Sequence, residues 1–223
     1  MYAADWLILK EFLSARISVN LALARLLSVL FHPLLGPTYL FACLLYLLPE
    51  SLVTFPMDSR WVILTAVFFL TFIIPALGTY FMVRAGVVQN MQMPIRSQRR
   101  FPLLFASLCY ATATYFFGQD EVFGDLFYFI MLVITLSVLA TYVISFFWKI
   151  SAHSVGMCGA LGILVFLYKL LPDITLFNLI VIFILLTGSV LSARLALQSH
   201  SPAQVYAGLA TGFAFGASLL FFI

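Results

Sequence analysis

Two short segments join a basic residue to a histidine. Residues 148–154 read WKISAHS and place Lys149 upstream of His153, while residues 192–208 read SARLALQSHSPAQVYAG and place Arg194 upstream of His200. A third segment, RSQRRFP at 96–102, adds Arg96, Arg99 and Arg100. Charged residues make up 9% of the 223 positions and hydrophobic ones 64%, so polar groups lodged between apolar runs are costly and read as functional. Arginine offers a planar fork that suits a phosphate dianion, and lysine offers a point charge. A histidine can attack phosphorus, and a second can hand a proton to a departing alkoxide. The set is complete for phosphoryl transfer without a metal.

The elements that must position these residues follow from hydropathy. Stretches free of charge run over 26–49, 61–83, 101–119, 126–148, 150–168, 174–193 and 195–223, each meeting the length of about 18 to 20 residues that a membrane-spanning helix needs. The expected fold is all-α, a polytopic membrane bundle of six to seven transmembrane helices forming a single domain over 1–223. A mean hydropathy of +1.14 leaves too little polar surface for a water-soluble alternative. Two spans separate the 96–102 segment from Lys149, and two more separate Lys149 from Arg194, so all three polar breaks should emerge on one face.

That face is also the basic one. It receives Lys/Arg 10, 16, 25, 84, 96, 99, 100, 149 and 194 with acids 5 and 11 only, whereas the other face has Lys/Arg 60 and 169 with acids 50, 58, 120, 121, 125 and 173. The positive-inside rule places the basic face in the cytoplasm, as for a multi-pass protein of a cytoplasmic membrane. The bias shrinks if 96, 99, 100, 149 and 194 serve as ligands instead. Beyond Asp5 and Glu11 the basic face has no carboxylate, which argues against enzymes that hold Mg²⁺ through Asp-rich motifs. Residues 1–25 carry too many charges for a secretory signal and read as an interfacial segment or an extension of the first span. Cys43, Cys109 and Cys158 fall within spans and read as packing residues. No cofactor and no nucleic-acid partner are expected.

At these residues the chain resembles the type 2 phosphatidic acid phosphatase superfamily of integral-membrane lipid phosphatases. That family's motifs have the forms K-x6-R-P, P-S-G-H and S-R-x5-H-x3-D. Arg194, LALQS and His200 match R-x5-H, the following A-G-x-x-x-G resembles the family's small-residue helix, residues 150–153 (ISAH) resemble a relaxed P-S-G-H, and RSQRRFP is the loosest counterpart. The resemblance implies that His200 attacks phosphorus and that His153 protonates the leaving oxygen of a lipid phosphate within the bilayer. Arg96, Arg99, Arg100, Lys149 and Arg194 would hold the phosphate, with Ser151 and the backbone beside Ala152 as further donors. Gln204 stands where the family has an aspartate; it can orient His200 but cannot stabilise its cation by charge.

Other readings compete at particular positions. The cations of 96–100 and Lys149 also suit lipid headgroups, and either histidine could simply bridge helices. His32, in FHPLLGPTY, matches none of the motifs and reads as a helix-terminus or packing residue. Gly208, Gly212 and Gly216 recur every fourth residue and read as a close helix contact. The competing function is a non-catalytic membrane protein that binds or transports anionic lipid through a degenerate phosphatase site.

Overall fold

A computed structural model describes residues 20–48, 53, 56–93, 95–119 and 124–222. Among them the secondary structure is helical throughout, in seven long helices: α1 (Asn20–Leu47), α2 (Met57–Arg84), α3 (Arg100–Phe117), α4 (Gly124–Ile144), α5 (Ala152–Leu170), α6 (Ile174–Ala196) and α7 (Pro202–Ala217). Six of them, all but α3, are long and apolar enough to cross a membrane by length and composition. Their outer surfaces carry apolar side chains such as Leu77, Phe81, Ile184 and Leu185. Lipid accepts such a surface because a helix satisfies its own backbone polar groups. The chain is an all-α, multi-pass membrane bundle.

Charge-free stretches overshoot the helices because they do not register caps. α4 ends at Ile144 rather than near 148, and residues 145–151 form a turn and cap before α5. Ser151 caps α5, its Oγ accepting from the Ser154 amide at 3.4 Å. Asp173 caps α6 through the amides of Thr175 and Leu176, at 2.7 and 3.3 Å. The apolar run that starts at 195 becomes helical again only at Pro202, after Ser201 and Gln204 build a capping box. Asp58 and Asp125 lie in the first turns of α2 and α4, and Arg84 and Arg194 in the last turns of α2 and α6, the arrangement the helix dipole favours. The interfacial reading of 1–25 concerns mainly residues 1–19, outside the described residues; residues 20–25 are the first turns of α1.

α5 is the most enclosed helix, with Cys158, Ile163, Leu164 and Leu167 buried. Its contact with α7 is made by main chain. A Cβ added at Gly212 would lie 2.2 Å from the Val155 carbonyl oxygen, and one at Gly216 would lie 2.3 Å from that of Gly159. Gly208 approaches the Ser151 carbonyl in the same way. Only glycine permits the two axes to run this close, and both helices begin at the polar end of the bundle.

Candidate functional site

Three connections meet at that end. The 3-10 turn Arg96–Arg99 precedes α3, residues 145–151 join α4 to α5, and residues 197–201 join α6 to α7. Arg99 Nη1 donates to the Ile150 carbonyl at 3.3 Å and its Nε to that of Met93 at 3.1 Å. The Ser151 amide donates to the Gln204 carbonyl at 3.3 Å. Arg99 thereby ties the first connection to the second, and Ser151 ties the second to the first turn of α7.

His200 follows a tight reversal. Leu197 N–H closes α6 on Ala193, Gln198 takes a left-handed φ of 50°, and Ser199 N–H returns to the Arg194 carbonyl at 3.2 Å. The imidazole is buried, with 7% exposure. Its Nδ1 donates to Gln204 Oε1 at 3.1 Å. The same oxygen accepts the Ser201 amide at 3.3 Å, which fixes the amide orientation of Gln204 and the tautomer of His200. Nε2 therefore keeps its lone pair. Burial, then the charges of Arg99 and Arg194, pull the His200 pKa down to about 4, against the Gln204 bond and with a smaller contribution from Lys149. The ring is neutral at physiological pH.

Cations converge on it. Burial and then Arg194 lower the pKa of Arg99 to about 10, and burial, Arg99 and Arg194 lower that of Lys149. These three mutually repelling charges have no described carboxylate among them, since Asp58, Asp125 and Asp173 start helices at the opposite end. Arg194 Nε is buried without a hydrogen-bond partner. Positive charge and an unused donor are the features that an anion would require of such a cluster. Among the described residues no group of His, Cys, Asp and Glu could hold a metal ion.

His153, in the first turn of α5, is held by a defect in α1. Pro33 has no N–H to offer the Val29 carbonyl. The His32 amide takes that carbonyl instead, at 3.3 Å, so the Ser28 carbonyl loses its own helical partner. His153 Nε2 donates to it at 3.0 Å, leaving Nδ1 available. Arg194 and His200 are within electrostatic reach of His153.

Not every expected ligand joins this group. Arg96 is exposed and donates to the Phe147 carbonyl. Arg100 stacks over the Phe146 ring, 4.7 Å from its centroid. Both brace the turn after α4, while Arg99 lies within electrostatic reach of His200. Ser151 is fully buried, its Oγ accepts both the amide and the hydroxyl of Ser154, and its own amide is committed to Gln204. These bonds make it the cap of α5.

Sequence reasoning set aside His32, whose ring meets that of His153 edge-on, with centroids 5.8 Å apart and planes at 77°. Its Nδ1 accepts the Leu34 amide at 3.3 Å, capping the 3-10 turn Pro33–Leu35. The signal available was a His-Pro pair inside an apolar run, where a helix must break and a carbonyl must go unpaired. A shallow apolar groove lined by Phe31, Pro33, Gly36, Tyr39, Gly156 and Met157 runs up to the two rings. Comparison of the chain with protein-family models, curated proteins and solved structures gave no match.

Proposed function

We propose that the chain is a lipid phosphatase, a divergent member of the type 2 phosphatidic acid phosphatase superfamily, that hydrolyses a phosphate monoester or diphosphate at the membrane surface. The observation that carries the reading is the convergence of Arg99, Lys149 and Arg194 on a neutral His200 whose Nδ1 is tied to Gln204. Nε2 of His200 attacks phosphorus as the bond from phosphorus to the lipid oxygen breaks, and the cations stabilise the charge on the equatorial oxygens. Nδ1 of neutral His153 takes the proton of the bound phosphate monoanion and passes it to the departing oxygen, while Nε2–H stays on the Ser28 carbonyl. Water then attacks the phosphohistidine, its proton passing through His153 Nδ1 to the phosphate, and inorganic phosphate and free His200 are released. No step calls on a metal or cofactor.

The test is phosphate release by purified protein from phosphatidic acid, phosphatidylglycerophosphate, an isoprenoid diphosphate and lipid A, with EDTA in excess. Release from at least one lipid, inhibited by vanadate and abolished by His200→Ala, is the expected result. Release that stops with EDTA and returns with Mg²⁺ would remove this mechanism.

One observation favours a second reading. Gln204 Oε1 also serves the capping box, which accounts for a glutamine there with no chemistry. A non-catalytic protein binding anionic lipid at the same cations would show saturable lipid binding and no phosphate release.

A further inference from the structure

We propose that His32 is a positioning residue for His153, so that the broken turn of α1 belongs to the site; the kinetic part of this inference rests on the phosphatase reading above. Two contacts orient the His153 ring, and both come from that turn. The Ser28 carbonyl takes Nε2–H at 3.0 Å, and the His32 ring stands across it at 77°. One hydrogen bond leaves an imidazole free to swing about it; an edge-on aromatic neighbour removes that freedom.

His32 is itself fixed. Its Nδ1 is the acceptor for the Leu34 amide, so the neutral ring carries its proton on Nε2, and its main-chain amide is the one that deserts Ser28 for Val29. The break that frees the acceptor for His153 is thus capped by the residue that packs against His153. The other charged or titratable groups around His153 are Arg194 from α6 and His200 from the α6–α7 turn; the groove beside it is apolar, so α1 alone supplies orientation from that side.

Capping and ring contact separate by substitution. Asparagine is a good N-cap and keeps an acceptor for Leu34, but it has no ring. Phenylalanine keeps a ring and loses the acceptor. His32→Asn is expected to lower kcat on a lipid phosphate roughly tenfold with KM little changed, the scale of a misplaced catalytic group, and His32→Phe to recover much of that loss. Both variants should lose less on an aryl phosphate, whose leaving group needs no proton. Wild-type turnover by His32→Asn, or equal losses on the two substrates, would overturn the inference.

A substrate-free measurement separates it from the phosphatase reading. In protein labelled with ¹⁵N-histidine, the Nε2–H signal of His153 should be sharp in the wild type and shifted or broadened in His32→Asn. An unmoved signal overturns the positioning role whatever the activity. A moved signal in a protein that hydrolyses no phosphate ester upholds it and removes the phosphatase reading instead.

Discussion

The proton on His153 Nε2 is held by the main-chain carbonyl of Ser28 at 3.0 Å, and that carbonyl is free because Pro33 lies five residues further on. A carbonyl cannot titrate, so this partner keeps its hydrogen bond at any pH. It orients the ring without fixing a second charge in an apolar setting, where an isolated carboxylate would be costly.

Pro33→Ala should therefore repair α1 at the expense of the site. With an amide at 33 the helical pattern can resume, His32 N–H can return to Ser28, and His153 loses its acceptor. The expected outcome is a melting temperature equal to or above that of the wild type, with roughly tenfold lower turnover of a lipid phosphate. Thermal unfolding and kcat on the same preparation check it; unchanged turnover would detach His153 from the α1 break.

The pH dependence turns on His200. Its folded-state pKa, about 4, lies below the ordinary value of 6.5, so the ring stays neutral through neutral pH and, on the proposed mechanism, the acid limb of turnover should lie low. The unfolded chain binds that proton more readily, so this contribution to stability is full above pH 6.5 and is lost as pH falls toward about 4. Gln204→Asp adds a negative charge at Nδ1 and should move the acid limb upward, whereas Gln204→Leu removes the bond that raises the pKa and should lower kcat. Rate profiles of the three proteins that superimpose would show that this side chain has no influence on His200.

Anion affinity should divide the cations into two groups. A hydrogen bond to a charged group contributes ~1.5–3 kcal/mol, so Arg194→Ala, which removes the unused buried Nε, should raise the inhibition constant of vanadate about tenfold to a hundredfold. Arg194→Lys should recover little, because lysine lacks the planar fork. Arg96→Ala should change it far less, its guanidinium being exposed and turned to the Phe147 carbonyl. An equal rise for all three arginine variants would contradict this division.

Glycine spacing gives a prediction on stability. Gly212→Ala would put a methyl group 2.2 Å from the Val155 carbonyl oxygen, and overpacking of this kind costs ~1–3 kcal/mol or more. Melting temperature and turnover should fall together, since α5 and α7 carry His153 and Gln204. Gly188→Ala, with open space around it, is the control and should leave both unchanged.

The bundle was legible in the sequence because its cause is local: an apolar run of sufficient length needs no partner to declare itself. Arg194, His200 and Gln204 were legible for a related reason, since one reversal between two helices fixes their spacing. Arg99 could not be told from Arg96 and Arg100, because the junction of a 3-10 turn with α3 aims three neighbouring side chains apart and only the facing loops decide which one comes within electrostatic reach of His200. Ser151 reads as a donor by its neighbours, and its position one residue before a helix also makes it a cap. His32 was passed over because its contact is with α5, more than a hundred residues away in the chain; the proline beside it showed where the helix would break but not what would fill the gap.

The glycine seam between α5 and α7 has a bearing on how the protein meets its bilayer. Where two helices touch through carbonyls and α-carbons there is no layer of side chains to shear, so a change in membrane thickness that tilts one helix must tilt the other with it. His153 and His200 ride at the leading ends of this rigid pair. Thinning or thickening the bilayer would then carry both rings together relative to the membrane surface, while the spacing of the two imidazoles travels unchanged.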